Sequence, residues 1–290
     1  MLVGPPNLEV PMGRLRDEME ARMRLSNYRE RSIESYVRCV SDLAKHYRRS
    51  PEELSAEEVR SFLLHRREVD KVSVSTQRLY VFGLRYLYRE VLQRPEVAQA
   101  LPVPRGPQRL PEVPTREEMR KLLGAARSVR DHALLSLAYA TGLRVSELVA
   151  LQVHHIDAEA GLIHVLDGKG GSDRVAPLSP KLVETLRAYW AAVRPAKPWL
   201  FVGKDDSRHL SVSAAQGAVR FAAQQAGLTR RISTHSLRHA FATHMLEDGA
   251  DVRLVQQVLG HSDLSTTARY LRVCEARLRH AEGPLDRLTR

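Results

Sequence analysis

The sequence predicts a mainly α protein with a small antiparallel β-sheet (α+β), divided into two parts. Three observations carry that prediction. Apolar residues recur at three- and four-residue spacing through most of the chain, a proline-rich stretch interrupts the pattern at residues 101–114, and three short β-like runs are confined to residues 156–178. At 290 residues, each part is long enough to bury a core of its own.

Residues 1–25 read as an N-terminal extension and residues 26–100 as a helical domain. Within that domain, Arg31–Tyr47 carries Ile33, Tyr36, Val37, Val40, Leu43 and Ala44 on one face, Ala56–His65 forms a second helix, and Ser75–Leu92 places Leu79, Phe82, Leu84, Tyr86 and Leu87 at helical spacing. Residues 101–114 hold five prolines and a glycine in fourteen positions, which disfavours a helix and reads as a semi-rigid linker. Residues 115–290 form the second domain. Thr115-Arg-Glu-Glu118 is a capping-box signature for a helix running to about Ala126. The apolar stretch His132–Ala140 stops at Thr141-Gly142, where glycine suits a helix C-terminus. Ile156–Asp157, Leu162–Leu166 and Val175–Leu178 read as an antiparallel sheet with Lys169 at the hairpin tip. Helices resume at Pro180–Ala192, Ser213–Ala226, Ser236–Glu247, Val252–Leu259 and Ser265–Val273.

A formal charge of +11 and a pI near 10.0 point to a polyanionic partner. The charge is not one basic tail: residues 1–105 carry 19 Lys+Arg against 15 Asp+Glu, and residues 106–290 carry 26 against 19. Such a distribution suits two basic parts gripping a duplex from two sides. No apolar run approaches the roughly 18 residues of a membrane span, and the N-terminus lacks the build of a signal peptide, so a cytoplasmic protein is expected. Cys39 and Cys274 are the two cysteines and read as packing residues rather than a disulfide framework. No carboxylate cluster, Cys-x-x-Cys pair or phosphate-binding Gly-x-x-x-x-Gly-Lys motif occurs, so neither a metal, a cofactor nor ATP is expected.

The densest chemistry lies near the end of the chain: His235-Ser-Leu-Arg238-His239, then His261, then Tyr270 nine residues later. A tyrosine phenol has a pKa of about 10 and is ionised to about a thousandth at pH 7, so a phenol nucleophile needs cations or a base beside it. Arginine presents a planar fork that fits two phosphate oxygens. Upstream, Arg144 stands in Ala-Thr-Gly-Leu-Arg144-Val-Ser-Glu147, and Lys169 in Gly168-Lys169-Gly170-Gly171. Glu147, one helical turn after Arg144, reads either as its orienting partner or as a local ion pair. His239 and His244 read as structural.

Arg144, Lys169, His235-x-x-Arg238, His261 and Tyr270, in this order, resemble the catalytic set of the tyrosine recombinase (phage integrase) family, and residues 26–100 resemble its helical core-binding domain. The resemblance spans about residues 26–275 and implies a site-specific recombinase or integrase that cuts DNA through a 3′-phosphotyrosine link to Tyr270 and rejoins strands through a Holliday junction. It assigns Arg144 and Arg238 to the phosphate oxygens, Lys169 to protonation of the leaving 5′-oxygen with Lys181 and Lys204 as weaker rivals, His235 to general-base or phosphate-binding duty, and His261 to a non-bridging oxygen. It implies double-stranded recombination sites as substrate and a homo- or hetero-tetramer on DNA, with Val273–Arg290 (Leu278, Leu285, Leu288) docking into a neighbour. The length before residue 26 leaves no room for an arm-site domain, and no long insertion separates Lys169 from His235, which favours the Xer-like and mobile-element integrases over the integron type. Two rival readings are a type IB topoisomerase, which uses nearly the same residues without partner exchange, and a catalytically silent DNA-binding protein.

Overall fold

The computed structural model describes residues 12–106, 112–166, 173–196, 198–205 and 207–260. The chain separates into two compact units, Met1–Gln108 and Arg109–Arg290.

The first unit is helical: α1 Met12–Leu25, α2 Glu30–Tyr47, α3 Ala56–Glu68, α4 Val74–Tyr86 and α5 Pro95–Ala100. Helix α2 buries Ile33, Val37, Val40, Leu43 and Ala44 of its predicted stripe, together with Cys39, while Tyr36 of that stripe is partly buried. It crosses α4 closely at Gly83, where a Cβ would come within 3.4 Å of the Tyr36 Cα and the Cys39 Cβ. Helix α3 opens on a capping box: the Ser55 hydroxyl accepts from the Glu58 amide at 3.2 Å and the Glu58 carboxylate accepts from the Ser55 amide at 2.8 Å. Helix α4 passes directly into a π-helical turn, Leu87–Val91.

Three features differ from the sequence reading. Residues 12–25, read as part of an extension, are a helix whose Leu15, Met19 and Met23 join the core of this unit at i, i+4, i+8 spacing. Leu84 and Tyr86 of α4 and Leu87 just after it are buried, but Leu79 and Phe82 face solvent, because Gln77, Tyr80, Val81 and Leu84 set the inward face. The proline-rich segment, read as a semi-rigid linker from residue 101, begins packed on the first unit. Leu101 is fully buried, its carbonyl accepts from Arg85, the Pro104 carbonyl accepts from Arg78 at 2.9 Å, and Gly106 lies against Val74.

The second unit comprises α6 Arg116–Gly124, α7 Val129–Thr141, α8 Val145–Val149, strands β1 Ile156–Asp157, β2 Leu162–Val165 and β3 Arg174–Pro177, then α9 Pro180–Val193, α10 Val212–Gln225, α11 Thr234–Glu247 and α12 Val252–Leu259. The sheet is antiparallel in the order β1-β2-β3, with Ile163 opposite Ala176 and Val165 opposite Arg174. Helix α6 starts at the predicted capping box of Thr115 and Glu118. Helix α7 begins three residues earlier than its apolar stretch suggests, because Ser128 caps it through the Asp131 amide. The core gathers Leu134, Leu135 and Leu137 of α7, Leu186 and Tyr189 of α9, Phe201, Val219 of α10 and Leu237 of α11. The predicted hairpin tip at Lys169 and the helix at Ser265–Val273 lie outside the described residues.

Candidate active site

Gly142 ends α7 in the left-handed conformation at φ +63°, and a Cβ there would meet the Phe241 ring at 2.5 Å. Only glycine allows this reversal, and two residues later Arg144 stands at the N-terminus of α8. The Arg144 amide donates to Glu147 Oε2 at 2.7 Å, its Nη1 donates to Glu147 Oε1 at 2.7 Å, and its Nη2 donates to the Gly260 carbonyl at 3.0 Å.

Arg238, on α11, is buried at 3% exposure and donates to the Gly142 carbonyl and to the Leu259 carbonyl, each at 2.6 Å. The two arginines predicted to share a phosphate therefore hold successive carbonyls, those of Leu259 and Gly260, at the end of α12. Neutral carbonyls fix the planes of both guanidinium groups, and Arg144 is in addition paired with the Glu147 carboxylate.

A third arginine, to which the sequence reading gave no role, completes the cluster. Arg174, the first residue of β3, donates through Nη1 and Nη2 to the two Glu147 oxygens at 3.0 and 2.6 Å, and through Nε to the Val258 carbonyl at 2.8 Å. The signal for it was the period-2 alternation of β3, which sets Arg174 on the same face as buried Ala176. Gly260 is left-handed at φ +64°, and a Cβ there would reach the Arg174 side chain at 2.9 Å. Burial pushes the Glu147 carboxyl upward, but hydrogen bonds from Arg174 and from the Arg144 amide and side chain outweigh it and hold the group below its ordinary value. Glu147 is thus the shared partner of two guanidiniums rather than a local pair for one.

His235 sits in the first turn of α11 with its ring 4.1 Å from that of His239. Its pKa is lowered by partial desolvation and then by the charges of Arg238 and Arg144. The residue is exposed by surface area, so the desolvation comes from the mass of protein around the ring and not from a cover over it. At neutral pH the imidazole is uncharged and able to accept a proton.

Several alternatives lose ground on geometry. Of the other tyrosines in this unit, Tyr189 is fully buried, donates to the Leu200 carbonyl at 2.9 Å and is pushed up to about 12 by burial, so it makes a poor nucleophile. Tyr139 pairs its hydroxyl with His244 Nδ1 at 2.8 Å, and burial raises its pKa. His244 is buried in that pair, in keeping with a structural part. Lys181, a rival general acid, is an exposed partner of Glu184. Lys169, His261 and Tyr270 lie outside the described residues. Among the described residues no group of three or more His, Cys, Asp or Glu side chains is placed to hold a metal ion, and no helix is long and apolar enough to cross a membrane.

Comparison with known proteins places this geometry in context. The model of the phage integrase family matches residues 112–277, and that of the phage integrase N-terminal SAM-like domain matches residues 15–96. The chain is 38% identical over 97% of its length to y4qK of Sinorhizobium fredii (strain NBRC 101917 / NGR234), which carries an integrase/recombinase designation, covering 92% of that protein. It is 36% identical to the tyrosine recombinase XerD of Rhizobium meliloti (strain 1021), over 85% of this chain and 86% of that one. Its fold is similar to that of XerH site-specific recombinase bound to a palindromic difH substrate, with a TM-score of 0.70 at 23% identity over 86% of this chain and 78% of that one. It is similar also to a lambda integrase dimer bound to a COC′ core site, with a TM-score of 0.72 at 19% identity over 89% of this chain and 94% of that one.

Proposed function

This chain belongs to the phage integrase family and is a tyrosine-type site-specific recombinase, and from that premise we propose that Arg144, Lys169, His235, Arg238, His261 and Tyr270 carry out its strand exchange on double-stranded recombination sites. The observation that carries the reading is the pairing of Arg144 and Arg238 on successive carbonyls with His235 in the field of both. Lys169, His261 and Tyr270 enter from their sequence motifs.

The Tyr270 hydroxyl oxygen attacks the scissile phosphorus, forming the Tyr–O–P bond to the 3′-phosphate as the P–O5′ bond breaks. His235, neutral at physiological pH, accepts the phenolic proton, and Lys169 donates a proton to the departing 5′-oxygen. Arg144, Arg238 and His261 meet the charge that grows on the non-bridging oxygens. Arginines in phosphoryl transfer contribute about 10³–10⁵ in rate, or about 4–7 kcal/mol each, far more than a surface ion pair. The 5′-hydroxyl of a partner strand then attacks the phosphotyrosine and releases Tyr270, so one phosphodiester is exchanged for another without ATP. Two rounds through a Holliday junction require a tetramer, for which residues 273–290 supply the docking tail. The basic first domain, residues 26–100, holds the far side of the duplex, and linker 101–114 joins it to the catalytic domain, residues 115–290. The setting is the nucleoid of a cytoplasm, in an Xer-like or mobile-element integrase.

Nicked duplexes carrying a site recovered by covalent capture test the assignment. Wild type forms a detergent-resistant protein–DNA adduct and Tyr270→Phe forms none; a full-yield adduct from the Phe variant overturns the nucleophile. A bridging 5′-phosphorothiolate, whose sulfur leaves without protonation, restores cleavage to Lys169→Ala far more than to Arg238→Ala. Equal rescue of both removes Lys169 from the acid role.

A further inference from the structure

The contacts around Glu147 are more elaborate than a buried ion pair needs. Its two oxygens accept four hydrogen bonds, two from Arg174 and two from Arg144. Arg174 is 8% exposed and Glu147 6%, and desolvating both to make an isolated pair gives little net stability. The third bond of Arg174, to the Val258 carbonyl, fixes the end of α12 within two residues of the carbonyl that Arg144 holds. Gly260 gives way to the Arg174 stem, since any Cβ there would fall within 2.9 Å of it. One side chain thus links the start of β3, the first turn of α8 and the last turn of α12. In sequence, Lys169 precedes the first of these elements and His261 follows the last.

We propose that Arg174 is a positioning residue for strand transfer: by occupying one side of the Glu147 carboxylate and the Val258 carbonyl, it aims the Arg144 guanidinium at the scissile phosphate. This rests on the phosphate-binding role given to Arg144 above. Two effects follow. Glu147 cannot swing to neutralise Arg144 fully, because half of its accepting capacity is taken. The carbonyls of Val258 and Gly260 are held in a fixed relation, so the Arg144 plane has one orientation. A lysine at position 174 keeps the charge but cannot span both carboxylate oxygens and the carbonyl.

The test uses the full chain, the Arg174→Lys and Arg174→Gln variants, and a nicked duplex recovered from random-sequence DNA by covalent capture on wild type. A second duplex carries a methylphosphonate at the scissile position, where a methyl group replaces one non-bridging oxygen and removes the charge that Arg144 meets. On phosphate both variants cleave about 10²-fold more slowly than wild type in single turnover, the loss expected for a misplacement of about 1 Å, while noncovalent DNA affinity is unchanged. On methylphosphonate the difference from wild type largely disappears. A merely structural residue would slow both substrates alike, and that result, or wild-type rates on phosphate, overturns the proposal. If Arg174→Gln melts below the assay temperature, Arg174→Lys, which keeps the buried charge, decides the matter by the same ratio. A wild-type chain that captures no DNA overturns the recombinase site itself, and this inference with it; capture by wild type with undiminished Arg174 variants overturns this inference alone.

Discussion

Each unit holds a network of buried or half-buried charges, and the two are built in opposite senses. In the first, Arg66 donates to Asp70 at 2.6 Å and to the Tyr80 hydroxyl at 2.7 Å, and that hydroxyl donates to Asp42 at 2.5 Å. One guanidinium faces two carboxylates, and burial together with Asp42 pushes the Tyr80 phenol up to about 12. In the second, two guanidiniums face the one carboxylate of Glu147, and Arg238 is held by backbone carbonyls. A network whose positive charge is matched has no use for an external anion and fastens α2, α3 and α4 together. In the second network two guanidiniums share one carboxylate and carbonyls orient the cations, an arrangement that can take a further anion. The contrast distinguishes a structural device from the cluster proposed as the phosphate site more sharply than the even spread of basic residues along the chain.

The contrast breaks first, if it breaks, at Arg238. Arg238→Ala lowers single-turnover cleavage by about 10³–10⁵, measured as adduct formation on a nicked duplex; a loss below tenfold would mean that its hold on the two carbonyls is all it does. Glu147→Gln comes next. It leaves two guanidiniums without their anion in a buried site and costs about 3–5 kcal/mol of stability, read by denaturant unfolding. The folded-state pKa of Glu147 is lowered from 4.5, so its contribution is fully present above the ordinary carboxylate value and lost as pH falls through the lower folded value. Wild type therefore shows an acid-sensitive step that Glu147→Gln lacks, and equal acid sensitivity in the two proteins would contradict the shared carboxylate.

A smaller effect sharpens the electrostatics. His235 is held below 6.5 by desolvation and by Arg238 and Arg144, so the acid limb of the cleavage pH profile lies below the ordinary histidine value. In Arg144→Ala, with one cation gone, the limb moves up towards that value. A limb that stays in place would remove His235 from the field of Arg144. The mildest change is Tyr80→Phe in the first unit. It leaves the Asp42 carboxylate without its donor and costs about 1–3 kcal/mol of stability, with no change in cleavage rate at saturating DNA.

Much of this arrangement is legible in the sequence alone. The period of α2, the capping box at Thr115 and Glu118 and the glycine stop at Gly142 are local signals, and each marks an element where the chain forms one. Helix α1 was missed because its three buried side chains stand among arginines and glutamates that dilute the apolar pattern. Leu79 and Phe82 misled for the reverse reason: they are apolar and helically spaced, yet lie on the outer face of α4. The arginines of the site were recognisable as a set from motif order, but their convergence was not, since Arg144 reaches a carbonyl 116 residues away. The alternation of β3 places Arg174 on the inner face, but its role is not legible locally, because its partners Glu147 and Val258 lie 27 and 84 residues away.

The most direct test of the contrast sets one arginine from each network side by side. Arg144→Ala and Arg66→Ala are compared with wild type in single-turnover cleavage at saturating DNA, with unfolding followed in parallel. Arg144→Ala should lose about 10³–10⁵ in rate with the chain folded, whereas Arg66→Ala should lower the melting temperature and leave the rate of the bound complex unchanged. Equal losses of rate in the two variants, or a larger loss from Arg66→Ala, would contradict the assignment of the Arg144–Arg238 cluster as the phosphate site.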